Sequence, residues 1–188
     1  MDTTTRRTAL IVLALAAFGF IVRLLPHLPD ATPITAIAIA SSLYLGRRSA
    51  LIVPVATLFL SDLLIGLYDW RIMASVYGSF LVIGAVSYLS AKRPGILSNA
   101  IVIVFAALFF FLVTNFSVWA FSPWYEKSLQ GLLYCYALGL PFMRNMLVGD
   151  ILYTTLILGF FRVLGLSRQY GAQRILGNAQ GAAVRHTR

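Results

Sequence analysis

Apolar residues occur along this chain in six long runs, separated by short stretches of polar residues, Pro and Gly. A helix that crosses a bilayer needs about 20 predominantly apolar residues, and runs of this length between such breaks are typical of membrane spans. The pattern therefore predicts an all-α integral membrane bundle of six transmembrane helices. The second run is short for a straight crossing, so its boundaries are the least defined. The six runs cover residues 8–25, 33–46, 49–68, 72–91, 96–121 and 140–165.

Two segments outside these runs complete the predicted organisation. The mildly apolar stretch 128–138 lies between the fifth and sixth runs and is interpreted as an interfacial or re-entrant segment. The stretch 167–188 is basic, rich in Gly, Ala and Gln, and has no apolar run. It is expected to be a disordered cytoplasmic tail or to lie on anionic lipid. The chain thus divides into a membrane domain, 1–166, and a tail, 167–188.

The composition agrees with a lipid environment. Hydrophobic residues make up 60% of the 188 residues and charged residues 11%, whereas soluble domains contain about 25% charged residues. An ordinary soluble domain is therefore excluded. The single cysteine, Cys135, cannot form an internal disulfide and is interpreted as a small buried apolar residue, with a thiol ligand as the alternative. No CxxC motif or Cys/His cluster is present, so no metal site is predicted.

The distribution of charge predicts the orientation in the membrane. The net charge is +9, and Lys and Arg concentrate in alternate connections, as they do on the cytoplasmic side of membrane proteins. Both termini are therefore expected in the cytoplasm of a multi-pass protein of the bacterial inner membrane. Topology accounts for the basic charge, so nucleic acid is not an expected partner. One side carries Arg6, Arg7, Arg47, Arg48, Lys92, Arg93, Arg162, Arg168, Arg174, Arg185 and Arg188, and the other carries Arg23, Arg71, Lys127 and Arg144.

Polar residues inside the predicted spans mark a possible site. A charged side chain there costs about 2.5 to 3.5 kcal/mol on insertion scales, which favours a functional role. Asp62, Asn115, Arg144 and Asn145 fall toward the non-cytoplasmic ends of their spans, and Asp150 lies deeper in the sixth. Arg144 is expected to pair with Asp62 or Asp150, or to neutralise an anionic group of a ligand. The alternative is an ion pair that only joins two helices.

The three outer connections are unusually rich in proline and aromatic residues, and all three Trp residues lie in or beside them. An aromatic belt at the headgroup level is one interpretation. A belt would mark both interfaces, however, and the cytoplasmic connections contain no Trp, so a ligand pocket is favoured. His27, flanked by prolines, is expected to contact the ligand, although hydrogen bonding at the interface is the alternative. The predicted substrate-binding residues are His27, Asp62, Asp69, Trp70, Arg71, Tyr77, Asn115, Trp119, Trp124, Tyr125, Arg144 and Asn145.

Signatures of catalysis are absent from the sequence. There is no HExxH, GxSxG or phosphate-binding glycine loop, so an enzyme is not predicted and no catalytic residue is assigned. Two alternatives to solute binding stay open. One is a membrane enzyme acting on a lipid or isoprenoid with Asp62, His27 or Asp150 as base, and the other is a membrane assembly protein without transport activity. Because no ATP-binding motif is present, uphill transport would need an ion gradient or a partner.

Several motifs resemble the substrate-binding S components of energy-coupling-factor vitamin transporters. They are PHLPDATP at 26–33, SLYLG at 42–46 and SDLLIG at 61–66. RLLPH at 23–27, VYGSF at 76–80, PFMRN at 141–145 and GD at 149–150 are similar to a bacterial inner-membrane family related to S components. The similarity extends over about residues 20–165.

The resemblance implies a six-helix bundle that binds a vitamin near the outer surface and moves by alternating access or by toppling. It also implies a membrane coupling subunit with ATPases as a partner, although solitary members bind cobalamin without one. Cobalamin would then be a transported ligand, and no resident cofactor is expected. In this hypothesis Asp69, His27 and Asn145 orient the ligand, and the aromatic residues of the outer connections stack on it.

Overall fold

The computed structural model describes residues 3–166 and shows six α-helices, with no strand in that part of the chain. Five of the helices are long and apolar enough to cross a membrane. The all-helical prediction is confirmed, and the predicted tail at 167–188 lies outside the described residues. The helices are α1 (Thr3–Leu24), α2 (Ile34–Tyr44), α3 (Arg47–Ile65), α4 (Trp70–Ser90), α5 (Ile96–Phe121) and α6 (Leu129–Val163).

Helix α2 lies at the centre of the bundle and packs against all five other helices. Its residues from Ile34 to Ser42 are almost completely buried, as expected for a helix that is apolar on every side. It has 11 residues, so its length is about 16 Å, roughly half the hydrocarbon thickness of a bilayer. The predicted short second helix is thus confirmed, but α2 alone does not cross a membrane.

The other helices surround α2 and leave large apolar side chains exposed on the outside. Leu13 is 65% exposed, Ile52 62% and Leu64 66%. A water-soluble protein would not present so continuous an apolar surface. Because α1 and α3 to α6 are also the five helices long enough to span, these side chains are suited to contact lipid acyl chains.

Contacts at the helix ends show which ends lie together. The rings of Tyr44, at the end of α2, and Phe161, near the end of α6, are 4.7 Å apart, and Ser90 hydrogen bonds to Ser98 across the α4–α5 turn. At the opposite end Arg23 of α1 contacts Asp62 of α3. The helices therefore run alternately up and down. The end of the bundle with the Arg23–Asp62 contact is called the outer end below, after its predicted orientation. At this end α1, α3 and α5 end and α2, α4 and α6 begin.

The structure corrects the prediction of a separate segment at 128–138. These residues form the first turns of α6, which is continuous from Leu129 to Val163 over 35 residues, or about 52 Å. Ser128 caps its start by accepting a hydrogen bond from the Gly131 amide at 3.1 Å. Pro141 lies inside the helix without ending it, because neighbouring helices hold both sides of a proline in such a bundle.

Candidate functional site

A buried ion pair joins three helices near the outer end. Arg23 of α1 donates from Nη2 to Oδ1 of Asp62 on α3 at 2.5 Å. The Tyr77 hydroxyl of α4 donates to the other oxygen, Oδ2, at 2.8 Å. The side chain of Asp62 is only 3% exposed. Both oxygens of this buried carboxylate are therefore hydrogen bonded, which is the condition for holding such a charge in an apolar bundle.

Arg144 was expected to pair with Asp62 or Asp150, or to neutralise an anionic group of a ligand, and the pairing with Asp62 is wrong. Arg144 is exposed on α6, and within residues 3–166 the ion pair of Asp62 is with Arg23. Arg144 was placed near the start of a sixth helix beginning at about residue 140. Because α6 starts at Leu129, four turns precede Arg144 and it lies at a different depth. Asp150 does not pair with it either, since both Asp150 carboxylate oxygens have no hydrogen bonding partner.

An open cavity of about 540 Å³ adjoins the ion pair at the outer end of α1 and α3. The His27 ring lies on its wall, and its Nδ1 is 2.7 Å from the carbonyl oxygen of Leu25. Because a carbonyl only accepts, Nδ1 must carry the proton in this contact, and Nε2 is left for a ligand. The cavity is lined by Arg23, Leu24, His27, Asp30, Thr32 and Ile65.

In the first two outer connections, Asp30 and Tyr68 have shifted pKa values. The pKa of Asp30 is raised because the surrounding protein desolvates its carboxyl group, while the charges of Arg23 and His27 act in the opposite direction. The pKa of Tyr68 is raised to about 12 by desolvation, with a further contribution from the negative charge of Asp62. Tyr68 therefore stays protonated over the physiological range and can donate a hydrogen bond.

Asp30 also reaches the α5–α6 side of the bundle. It lines a second cavity of only about 10 Å³, together with Asn115, Thr114 and Met146. This volume is enough for about one water molecule. The Asn115 side chain lies against Gly139 so closely that a Cβ there would be 2.4 Å from Oδ1. Asn115 thus packs α5 against α6, with the buried Cys135 thiol donating to its carbonyl at 3.4 Å.

Cys135 is 1% exposed, which confirms the interpretation of a small buried residue. Among the described residues, no group of three or more His, Cys, Asp and Glu could hold a metal ion.

The aromatic residues of the outer connections mostly form local contacts away from the open cavity. The Arg71 guanidinium lies 5.6 Å from the ring of Trp70 and 5.4 Å from that of Phe121, within the range of cation–π attraction. Trp119 donates from Nε1 to the Glu126 carbonyl at 2.8 Å and so fixes the α5–α6 connection. Trp124 is 74% exposed.

The remaining predicted residues are also outside the cavity lining. Asp69 is the N-cap of α4, accepting from the Arg71 amide at 2.8 Å. The Tyr125 ring meets Tyr134 edge-on at 6.2 Å. Asn145 is half-buried on α6.

The structure therefore brings together three of the predicted residues, His27, Asp62 and Tyr77, through a residue that was not predicted. Arg23 joins the ion pair to the cavity. Its position one residue before the end of α1 matches the depth of Asp62 near the end of α3. Comparing depths along the two helices would have indicated this pair. Asp30 lies in the PHLPDATP motif but was not among the predicted binding residues, because its place depends on how the 25–33 connection folds.

The fold and this site define a multi-pass α-helical membrane protein with a polar cluster at one end. Residues 3–174 match a family of unknown function, DUF6580, and the chain belongs to that family. No curated protein and no solved structure was found to match it.

Proposed function

We propose that this protein binds a small solute, such as a vitamin, at the outer face of the bacterial inner membrane and takes part in its uptake. The observation that carries the proposal is the open cavity beside the Arg23–Asp62–Tyr77 cluster. Its volume of about 540 Å³ is in the range of small-molecule sites, about 300 to 1,000 Å³. The resemblance to S components supports the same function.

The cavity lining favours a neutral solute with an apolar body and several hydrogen bonding groups. Leu24 and Ile65 supply the apolar wall. The charge of Arg23 is already balanced by Asp62, so the cavity does not require an anionic ligand. His27 Nε2 and the Asp30 carboxyl offer two polar contacts. Cobalamin would project out of a cavity of this volume, so a smaller vitamin is the better match.

The proposed movement is alternating access or toppling of the bundle. The outer cavity would load from outside the cell if both termini are cytoplasmic, as the charge distribution predicts. The described Arg47, Lys92 and Arg162 lie at or beyond the helix ends opposite the cavity, which supports this orientation. A membrane coupling subunit with ATPases is the proposed source of energy, and no catalytic step is proposed for this chain.

Mass spectrometry of the protein purified in detergent tests the proposal, followed by a thermal-shift panel of vitamins. A bound solute at 100 times its Kd should stabilise the protein by about 2.7 kcal/mol. Asp30→Asn should weaken binding of the identified solute, whereas Glu126→Gln, the same type of change on an exposed outer residue away from the cavity, should not. The proposal is refuted if nothing co-purifies and no vitamin raises the melting temperature. Equal binding by Asp30→Asn and the wild type would exclude this cavity as the site.

The orientation has its own test. Alkaline phosphatase fused after Arg188 is active only outside the cytoplasm, so the proposal predicts low activity of the fusion. High activity would place the C-terminus outside the cell and the cavity on the cytoplasmic side.

A further inference from the structure

Asp150 lies in the interior of the bundle without a partner for its charge. It belongs to α6 and is 1% exposed. Both carboxyl oxygens are buried and have no hydrogen bond partner. Among the described residues, the ion pair is between Arg23 and Asp62 and does not include Asp150. An isolated carboxylate in such a place is strongly disfavoured, and a buried acid without a counter-ion becomes neutral instead.

Three buried hydroxyl groups on α2 and α6 also have no hydrogen bond partner, those of Thr35 and Ser41 on α2 and Thr154 on α6. On the other helices, buried hydroxyls donate to the carbonyl four residues earlier, as Thr57 does to Val53 at 2.8 Å. The Thr35 hydroxyl lies beside the Asp150 carboxyl, although the pair does not have normal hydrogen bond geometry.

Among the described residues, the elements packed around Asp150 bring few titratable groups near it. The connection before α2 contacts Gly149 through Ala31, and its Asp30 adjoins that contact. Helix α2 has Tyr44 as its only titratable residue, and α5 has none. On α6 itself Arg144 and Arg162 are six and twelve positions away, about 9 and 18 Å along the axis. Helix α1 contacts α6 where Phe18 meets Tyr153. Arg23, five residues further along α1, is paired with Asp62.

The packing beside Asp150 also leaves little room for a metal ion. The preceding residue, Gly149, lies against the connection before α2, and a Cβ there would be 2.9 Å from the Cα of Ala31. Among the described residues, no group of three or more His, Cys, Asp and Glu could hold a metal ion there. A bound proton needs no such group.

We propose that Asp150 is a proton-binding site that controls the contact between α2 and α6. In the conformation seen here the carboxyl is neutral and can share its proton with the Thr35 hydroxyl. When the O–H bond of the carboxyl breaks, the proton passes to water and the charge stays on Asp150. The closed interface offers no counter-ion to this charge, so ionisation favours separation of α6 from α2 and entry of water. This inference is independent of the solute proposed above.

Infrared spectroscopy of the purified protein in lipid nanodiscs tests the site directly. At neutral pH the wild type should show the carbonyl stretch of a protonated carboxyl group. The band should disappear in Asp150→Asn and persist in Glu126→Gln. Since the chain has only six Asp and Glu residues, the band can be assigned with few variants. Its absence from folded wild-type protein at neutral pH would overturn the proposal, because Asp150 would then be ionised.

Thermal stability gives a second, independent measurement. Asn resembles the neutral acid, so Asp150→Asn should fold, and a variant that does not fold would count against the proposal. The folded wild type keeps a proton that the unfolded chain releases above about pH 4. The melting temperature of the wild type should therefore fall relative to Asp150→Asn as the pH rises from mildly acidic to alkaline values. Parallel pH profiles of the two proteins would contradict proton binding at Asp150.

Discussion

The ion pair between Arg23 and Asp62 makes a stability prediction that two single variants and one double variant can test. Replacing Asp62 by Ala leaves the guanidinium of Arg23, whose side chain is 16% exposed, without its counter-ion, and it removes the acceptor of the Tyr77 hydroxyl. Breaking a buried pair from one side typically costs about 3 to 5 kcal/mol. We expect a destabilisation of that size, because both partners are largely removed from solvent.

The assay is thermal unfolding of the purified protein in one detergent, monitored by circular dichroism. For a chain of this size each kcal/mol changes the melting temperature by about 2 to 4 °C. Asp62→Ala should therefore lower it by roughly 6 to 20 °C. Arg23→Met should act similarly, because it leaves the Asp62 carboxylate with Tyr77 as its only partner.

The double variant Arg23→Met with Asp62→Leu is the decisive control. It removes both charges and fills the space with apolar side chains, a change that is often neutral or stabilising for a buried pair. We expect its melting temperature to lie well above those of both single variants. If the destabilisations of the two single variants simply add in the double variant, the charges do not interact and the reasoning is refuted.

Two further predictions concern helix packing and pH. Gly84→Ala should be destabilising because its Cβ would lie 2.4 Å from the carbonyl oxygen of Ala50, whereas Gly78→Ala on the same helix meets nothing within 4 Å and should gain about 0.5 to 1 kcal/mol. Similar melting temperatures for the two variants would contradict the close contact of α3 and α4. Tyr68, whose pKa is raised from 10.0 to about 12, stays neutral in the folded state after the unfolded chain has ionised. The stability that this raised pKa contributes is complete below about pH 10 and is lost as the pH rises toward 12. Between these pH values the free energy of unfolding of the wild type should therefore fall more steeply than that of Tyr68→Phe.

The positions of the helices could be predicted well where an apolar run had sharp ends. The fifth run, 96–121, has the bounds of α5, and those of α2 to α4 differ by one to three residues. The sixth run was placed eleven residues too late, since the mildly apolar 128–138 was taken as a separate interfacial or re-entrant segment. Hydropathy measures lipid compatibility, and in α6 the first turns are held instead by the cap at Ser128 and by the packing of Gly139 on Asn115.

The site was harder to predict than the helices. Asp62 and Tyr77 were recognised as polar groups near one end of the bundle, and they do meet. The pairing predicted between Asp62 and Arg144 was wrong, because such a pairing depends on the depth and the rotation of each helix. The start of α6 lies eleven residues earlier than predicted, and this difference moved Arg144 away from the depth at which Arg23 and Asp62 lie.

The sequence by itself determined that this chain is a bundle of apolar helices with its basic residues toward one end, because each helix must satisfy its own backbone hydrogen bonds in lipid and must be apolar where lipid surrounds it. Only the tertiary structure decided that α2 is enclosed by the other five helices, that Arg23 neutralises Asp62 and that Asp150 has no counter-ion among residues 3–166. The reason is that such pairings depend on distances of a few Å between side chains far apart in the chain, whereas hydropathy records only the local environment.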